Sequence, residues 1–230
     1  MHFIKGEYGV PRRKGVPAGF EAVGQVVKAG KGGDGLIGKR VGFFGSASGA
    51  WADYAISEVS MCVPVIDQVR DEDAAALLVN PLTAIAMYEE AKADGNNCFI
   101  MTAAASQLCK LIAGLAKEDG TKVISVVRRD EHVESARWIV YGKLSPDNPA
   151  LAQMGQFIFM DKKIEGFWLT KWMKVTSPEK LMQSGMKVQQ MFASGNWQTD
   201  IAEKIPLKDA HAKLPEALSK MNTGKVMLVP

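Results

Sequence analysis

Two arginines, Arg128 and Arg129, close the apolar run Val123–Val127. Guanidinium groups in such a place suit a phosphate, which they grip by paired, charge-assisted hydrogen bonds. A dinucleotide site sets the residue that reads the ribose about 20 residues past its phosphate turn. The tiny side chains Ala103-Ala104-Ala105-Ser106 stand at that distance upstream. A pyrophosphate has to approach the backbone amides at a helix N-terminus closely, so the turn needs small residues. Ala105, Ser106, Gln107 and Leu108 are therefore candidate pyrophosphate-side residues. An NAD site places an acid where Arg128 and Arg129 stand, whereas arginine suits the 2′-phosphate of NADP(H). The turn lacks the glycines of the usual fingerprint, and Cys109 occupies the place of the third. A ligand-free βαβ unit, with the arginines as a solvated strand end before Asp130-Glu131, fits the same residues.

The elements that would position these groups follow from pattern. Cys98–Thr102 is a short apolar strand, an amphipathic helix runs from Ser106 to about Lys117, and Asp119-Gly120 turns the chain into the next strand. Upstream, residues 1–66 are rich in glycine and β-formers, with strands expected at Val23–Ala29, Arg40–Phe44 and Ala52–Ile56. Asp71-Glu72-Asp73 puts acid at a helix start that Ala74–Val79 continues, Pro81 interrupts, and Leu82–Ala93 resumes as helix. Downstream, Trp138–Gly142 reads as a late strand, Ser177–Ser194 as a helix capped by Ser177, Leu207–Lys220 as another helix, and Lys225–Val229 as a terminal strand. Met182, Met186 and Met191 sit at helical spacing, as core packing would. A doubly wound sheet needs a second βαβ half, and between Arg129 and Trp138 there are too few residues to build it.

The bulk numbers bound the class. At 230 residues, 47% hydrophobic and 23% charged, the chain is ordinary for a globular protein of one large or two small domains. A net charge of +3 without a basic, aromatic-studded run argues against nucleic acid as a partner. No apolar run approaches the roughly 18 residues of a membrane span. Cys62, Cys98 and Cys109 read as reduced core thiols, and the N-terminus is no signal peptide, so the expected location is cytoplasmic.

Several blocks, in order, resemble the zinc-free medium-chain dehydrogenase/reductases, and among them the NADPH-dependent 2-enoyl thioester reductases and quinone-reductase-like proteins. They are Phe3–Gly9, Gly19-Phe20-Glu21 (Gly-His-Glu in the zinc-dependent relatives), Val79-Asn80-Pro81-Leu82-Thr83-Ala84, Tyr141-Gly142, Gly166-Phe167-Trp168-Leu169 and Lys225. The resemblance implies an α/β fold: a partial GroES-like β-rich domain plus an incomplete Rossmann-type nucleotide-binding domain. The expected boundaries are 1–80 for the GroES-like catalytic domain, 81–200 for the NADP-binding domain with a junction near 134–137, and 201–230 for a segment returning to the first. The family carries further residues before Phe3. Near the junction, two or three strand–helix units are absent, roughly 60 residues at typical element and loop lengths.

The same resemblance implies roles. Tyr8 would be catalytic, its phenol stabilising the enolate oxygen or relaying a proton when hydride adds to an activated double bond. Asn80 would meet the nicotinamide carboxamide, and Tyr141, Gly142, Phe167, Trp168, Leu169 and Lys225 would line the cofactor and substrate. Read by themselves, Tyr8 is a turn aromatic, Asn80 a polar residue at a helix break, and Phe167, Trp168 and Trp172 plain core. Arg12-Arg13-Lys14 is either a coenzyme A phosphate contact or a solvated loop. His2, His132 and His211 fit no ligand spacing, so no metal is expected.

Two functions follow. The first is a zinc-independent oxidoreductase moving hydride from NADPH to an enoyl thioester, enone or quinone, as a homo-oligomer. The second is a catalytically inactive remnant serving as a binding or oligomerisation module. Phe20 in the histidine position generates a direct test. Elemental analysis of protein purified without chelators is expected to show no stoichiometric zinc, and EDTA no change in melting temperature; one tightly held zinc per chain contradicts this.

Overall fold

A computed structural model describes residues 15, 18–45, 49–102, 104, 106–126, 137–140, 163–219 and 224–230. The chain divides into two compact units, one formed by Met1–Val79 with Lys187–Pro230, the other by Asn80–Met186.

The first unit contains an antiparallel sheet of β1 (Glu21–Gln25), β2 (Arg40–Phe44) and β3 (Cys62–Pro64), in that order. Register runs from Glu21 opposite Phe44 to Gln25 opposite Arg40. Gly19 precedes β1 with φ +100, and a Cβ there would stand 2.5 Å from the Trp51 ring. Only glycine tolerates both the backbone and the contact. A short helix α1 (Asp71–Ala74) follows. Its Asp73 is buried, and the carboxylate accepts from Arg70 Nε at 2.8 Å and from the Thr199 amide at 2.7 Å. β8 (Ile201–Pro206) and β9 (Lys225–Val229) form a parallel pair, with helix α6 (Ala210–Ser219) between them. Val41, Val65, Val69, Leu77, Val188, Met191, Phe192, Trp197 and Ile205 are buried in this unit.

The second unit begins inside helix α2 (Val79–Ala93). Pro81 to Tyr88 are all buried, the mark of a helix enclosed on every side. β4 (Cys98–Thr102), α3 (Gln107–Asp119) and β5 (Lys122–Val126) form a βαβ unit whose strands pair in parallel, Cys98 opposite Lys122 and Thr102 opposite Val126. β6 (Arg137–Val140) and β7 (Lys163–Gly166) make a second parallel pair, followed by α4 (Leu169–Val175) and by α5 (Pro178–Ala193), whose residues from Lys187 onward belong to the first unit.

Several expectations need correction. Pro81 does not interrupt the helix. It lies in the first turn of α2, where a missing amide is tolerated, and the break falls earlier, at 75–78. Ala52–Ile56 is a run of bends and coil rather than a strand, with Tyr54 and Ile56 largely exposed; a short apolar-rich run makes no strand without a ladder partner. The third strand is Cys62–Pro64 instead. Met191 is buried, but Met182 and Met186 are 64% and 54% exposed, so they are not core. Of the thiols only Cys109 is buried, and Cys98 is exposed because it alternates onto the open face of β4. β7, α4 and β8 had no expectation. Of the strand expected at Trp138–Gly142, Trp138 to Val140 lie in β6 and Tyr141-Gly142 outside the described residues; the cap at Ser177 (accepting from the Lys180 amide at 3.3 Å) and the terminal strand Lys225–Val229 agree with pattern.

The second unit is tied by a polar cluster. The Tyr88 hydroxyl donates to Asp119 Oδ1 at 2.6 Å, the Thr121 hydroxyl donates to the same oxygen, and Lys92 Nζ donates to Thr121 Oγ1 at 3.0 Å. Thr121 first, and then Tyr88, holds the Asp119 carboxyl down to about 2 against an ordinary 3.8. Burial, and then the bond to Asp119, pushes the Tyr88 phenol up to about 12. A lowered carboxyl contributes stability that is complete above its unfolded value and lost as pH falls through its folded one. Thermal melts are therefore expected to show part of the acid loss of stability between pH 3.8 and about 2, and Asp119→Asn is expected to flatten that segment. An unchanged slope in the variant would count against this role.

Candidate active site

The phosphate-side candidates begin with the end of β4. After Thr102 the chain turns, and Ser106, in extended conformation, caps α3 by accepting from the Cys109 amide at 3.4 Å. Such a cap leaves the other first-turn amides pointing along the helix axis at its positive end. The first turn of α3 holds no acid, and Lys117 sits in the last turn. Gly120, at φ 74, closes the helix in the left-handed conformation. The donor chemistry of this terminus therefore fits an anionic pyrophosphate. Cys109, in the place of a glycine, is buried, and its thiol donates to the Thr102 carbonyl at 3.5 Å. It is small enough to pack the helix against the strand end it follows. The Leu108 side chain is buried at 3% exposure, so that residue could meet a ligand through its backbone only.

The aromatic candidates occupy an equivalent place. β7 ends at Gly166, and Phe167-Trp168-Leu169 leads into α4, with the Trp168 carbonyl accepting from the amides of Lys171 and Trp172. Ser106 and Trp168 thus each follow the carboxyl end of a parallel strand, where open α/β sheets place ligands. Phe167 is half-buried and Trp168 is 45% exposed, so Trp168 is not plain core.

In the first unit, Lys225 opens β9. Gly224 before it lies so close to Asp200 and Ala202 that a Cβ would stand 2.7 Å from the Asp200 carbonyl oxygen. Lys225 Nζ lies 3.4 Å from Glu21 Oε1, and Glu21 Oε2 accepts from the amides of Leu78 (3.1 Å) and Val79 (2.8 Å) at the start of α2. Asn80, half-buried, is the next residue of that helix. Glu21 enters the sequence reading only within the Gly19-Phe20-Glu21 block, and its signal is faint: one acid at the start of the strand Glu-Ala-Val-Gly-Gln.

Tyr8, Ala105, Arg128, Arg129, Tyr141 and Gly142 lie outside the described residues, as does Arg12-Arg13-Lys14. Phe20 is 43% exposed, and among the described residues no group of three His, Cys, Asp or Glu side chains gathers around a common point. No described helix is long and apolar enough to cross a membrane.

No family model matches the chain. Its fold is similar to that of a Mesorhizobium loti protein provisionally described as an NADPH:quinone reductase, at TM-score 0.89 and 41% identity, covering 100% of this chain and 82% of that one. The mitochondrial enoyl-[acyl-carrier-protein] reductase of Bos taurus is 22% identical, over 99% of this chain and 76% of the relative. The Escherichia coli quinone oxidoreductase, solved with NADPH, shares the fold at TM-score 0.79 and 20% identity, with 99% and 86% covered. The bovine alignment runs over 291 residues, more than the 230 of this chain, so the relative carries internal positions that this chain lacks.

The capping geometry of α3 yields a stability test. Ser106→Ala removes the side-chain acceptor, and a lost N-cap costs about 1 kcal/mol. Urea denaturation is expected to show a loss of that order with an unchanged m-value. No loss would mean that the long 3.4 Å contact contributes nothing.

Proposed function

The chain belongs to the medium-chain dehydrogenase/reductase superfamily, on its enoyl- and quinone-reductase side, and from that premise we propose that it transfers hydride from NADPH to an activated carbon–carbon double bond without a metal. The observation that carries this reading is the βαβ unit of β4, α3 and β5, with Ser106 and an acid-free first turn at the phosphate end. When bound, NADPH supplies the hydride.

The chain's own residues are assigned as follows. Backbone amides of Ala105, Ser106, Gln107 and Leu108 hold the pyrophosphate. Arg128 and Arg129 hold the 2′-phosphate. Asn80 orients the carboxamide beside the helix start. Tyr141, Gly142, Phe167, Trp168 and Leu169 flank cofactor and substrate, and Lys225 brings a positive charge to the cofactor. Hydride addition at the β-carbon builds negative charge on the carbonyl oxygen, which the Tyr8 hydroxyl meets by hydrogen bond while a proton reaches the α-carbon. The substrate is an enoyl thioester, an enone or a quinone. The unit with β1 to β3 is assigned the substrate side, and the unit with the βαβ motif the nucleotide side.

One observation favours the inactive-remnant reading. Ile100 and Ile124, register partners on β4 and β5, are 36% and 51% exposed. A parallel sheet is ordinarily covered on both faces. Thr102 and Lys122 share that face, and an exposed isoleucine pair on it is what an oligomer or partner would cover.

Tighter binding of NADPH than NADH is expected by calorimetry, with Arg128→Ala or Arg129→Ala eroding the preference by about 1.5–3 kcal/mol, the loss of one charge-assisted bond. Oxidation of NADPH with crotonyl thioester or a quinone is expected, and Tyr8→Phe is expected to abolish enoyl turnover. Equal affinity for both cofactors removes the phosphate assignment. Binding without any turnover leaves the remnant reading standing, and unchanged turnover in Tyr8→Phe removes Tyr8.

A further inference from the structure

We infer that Glu21 is a positioning residue for NADPH binding: one largely buried carboxylate sets both the Lys225 ammonium and the first turn of the helix that bears Asn80. The inference rests on the NADPH reading above and adds a residue to it. Glu21 is only 15% exposed in its side chain, and its two oxygens divide the work. Oε2 takes the amides of Leu78 and Val79, more than 50 residues away in the chain. α2 has no acid in its own first turn, so the charge that suits its positive end comes from β1. Oε1 faces Lys225 Nζ from the other end of the chain.

A lysine is a compact charge on a flexible four-carbon stem with three donors. Alone it would spread over many rotamers. Glu21 engages one donor direction and leaves the side chain 25% exposed, so the ammonium is held and still accessible. Gly224 removes the steric freedom on the other side by bringing the start of β9 against Asp200. Asn80 follows Val79 directly, so its backbone inherits the placement that the Val79 amide bond sets. Glu21 thus holds an ammonium assigned to the cofactor, and that effect is measurable.

Glu21→Gln keeps an acceptor for the Val79 amide but turns an amide NH2 toward Lys225 and removes the pairing charge. Lys225→Met leaves the helix contacts untouched. Tryptophan quenching by NADPH gives Kd for wild type, each single variant and the double variant, and melting temperatures are taken in parallel. NADPH binding by Glu21→Gln is expected to weaken on the order of tenfold, as for a lost charge-assisted bond, at a melting temperature close to wild type. The double variant is expected to bind no more weakly than Lys225→Met. Glu21→Ala should also lower the melting temperature, because it removes the cap. Unchanged or tighter binding in Glu21→Gln, additive losses in the cycle, full-strength binding by Lys225→Met, or failure of Glu21→Gln to fold would leave Glu21 a purely structural cap and overturn the inference. Wild type that shows no saturable NADPH binding would remove the cofactor reading, and this inference with it.

Discussion

A carboxylate taken largely out of water must recover its solvation from the protein, and Glu21 does so with two helix-start amides and one ammonium. The desolvation of such a group costs several kcal/mol if it is left alone. Charged hydrogen bonds to amides and ammonium offset that cost. The consequence is geometric. β1, the beginning of α2 and the beginning of β9 have to meet at one point, although they are drawn from residues 21, 78–79 and 225. Asp73 repeats the device in the same unit, tying Arg70 to the Thr199 backbone. Gln189 repeats it without charge, donating to the Pro64 carbonyl and accepting from the Ile66 amide. The first unit holds a three-stranded sheet and a separate parallel pair, and these long-range polar contacts link distant segments of it alongside the apolar core.

The second unit solves a different problem. A helix must lie close on the strand that precedes it. The usual solution is glycine. Here Ala104, Ser106 and the buried Cys109 serve instead, with the thiol satisfying the last carbonyl of β4. The first turn of α3 carries no acid, and Leu111, Ile112 and Leu115 are buried along the helix. Tyr88, Asp119 and Thr121 then fasten the far end of α3 to α2, and Tyr88 also meets Phe99 of β4 edge-on at 5.3 Å. A helix held at both ends in this way presents its N-terminal amides in a fixed direction.

The chain achieves this with fewer positions than its curated relatives use. Among the described residues, the strands of the second unit form two parallel pairs rather than one continuous sheet. Ile100 and Ile124, register partners on β4 and β5, face outward. On a doubly wound sheet, residues of that face would be covered by helices. Yet the likeness to the Mesorhizobium loti structure covers the whole of this chain at TM-score 0.89, so what is present keeps the family's architecture.

The sequence by itself determined the elements with strong local signatures. Arg40–Phe44 and Lys225–Val229 are strands over the expected residues, Ser106 and Gly120 bound α3, and Ser177 begins α5, because caps, turn glycines and apolar periodicity act within a few residues. It also determined which motifs to read together, and from them the family. It misplaced features whose outcome depends on distant partners. Ala52–Ile56 is rich enough in apolar residues for a strand but pairs with no ladder, and Met182 and Met186 have helical spacing but face water. Pro81 reads as a breaker, yet falls where α2 needs no amide, because Glu21 caps the helix from β1 and moves its start to Val79. Only the tertiary structure could decide that Glu21, Leu78, Val79 and Lys225 share one carboxylate. Hydrogen bonds between residues 57 and 204 positions apart leave no periodic trace in a chain, and they exist only once the strands that carry them have been brought together.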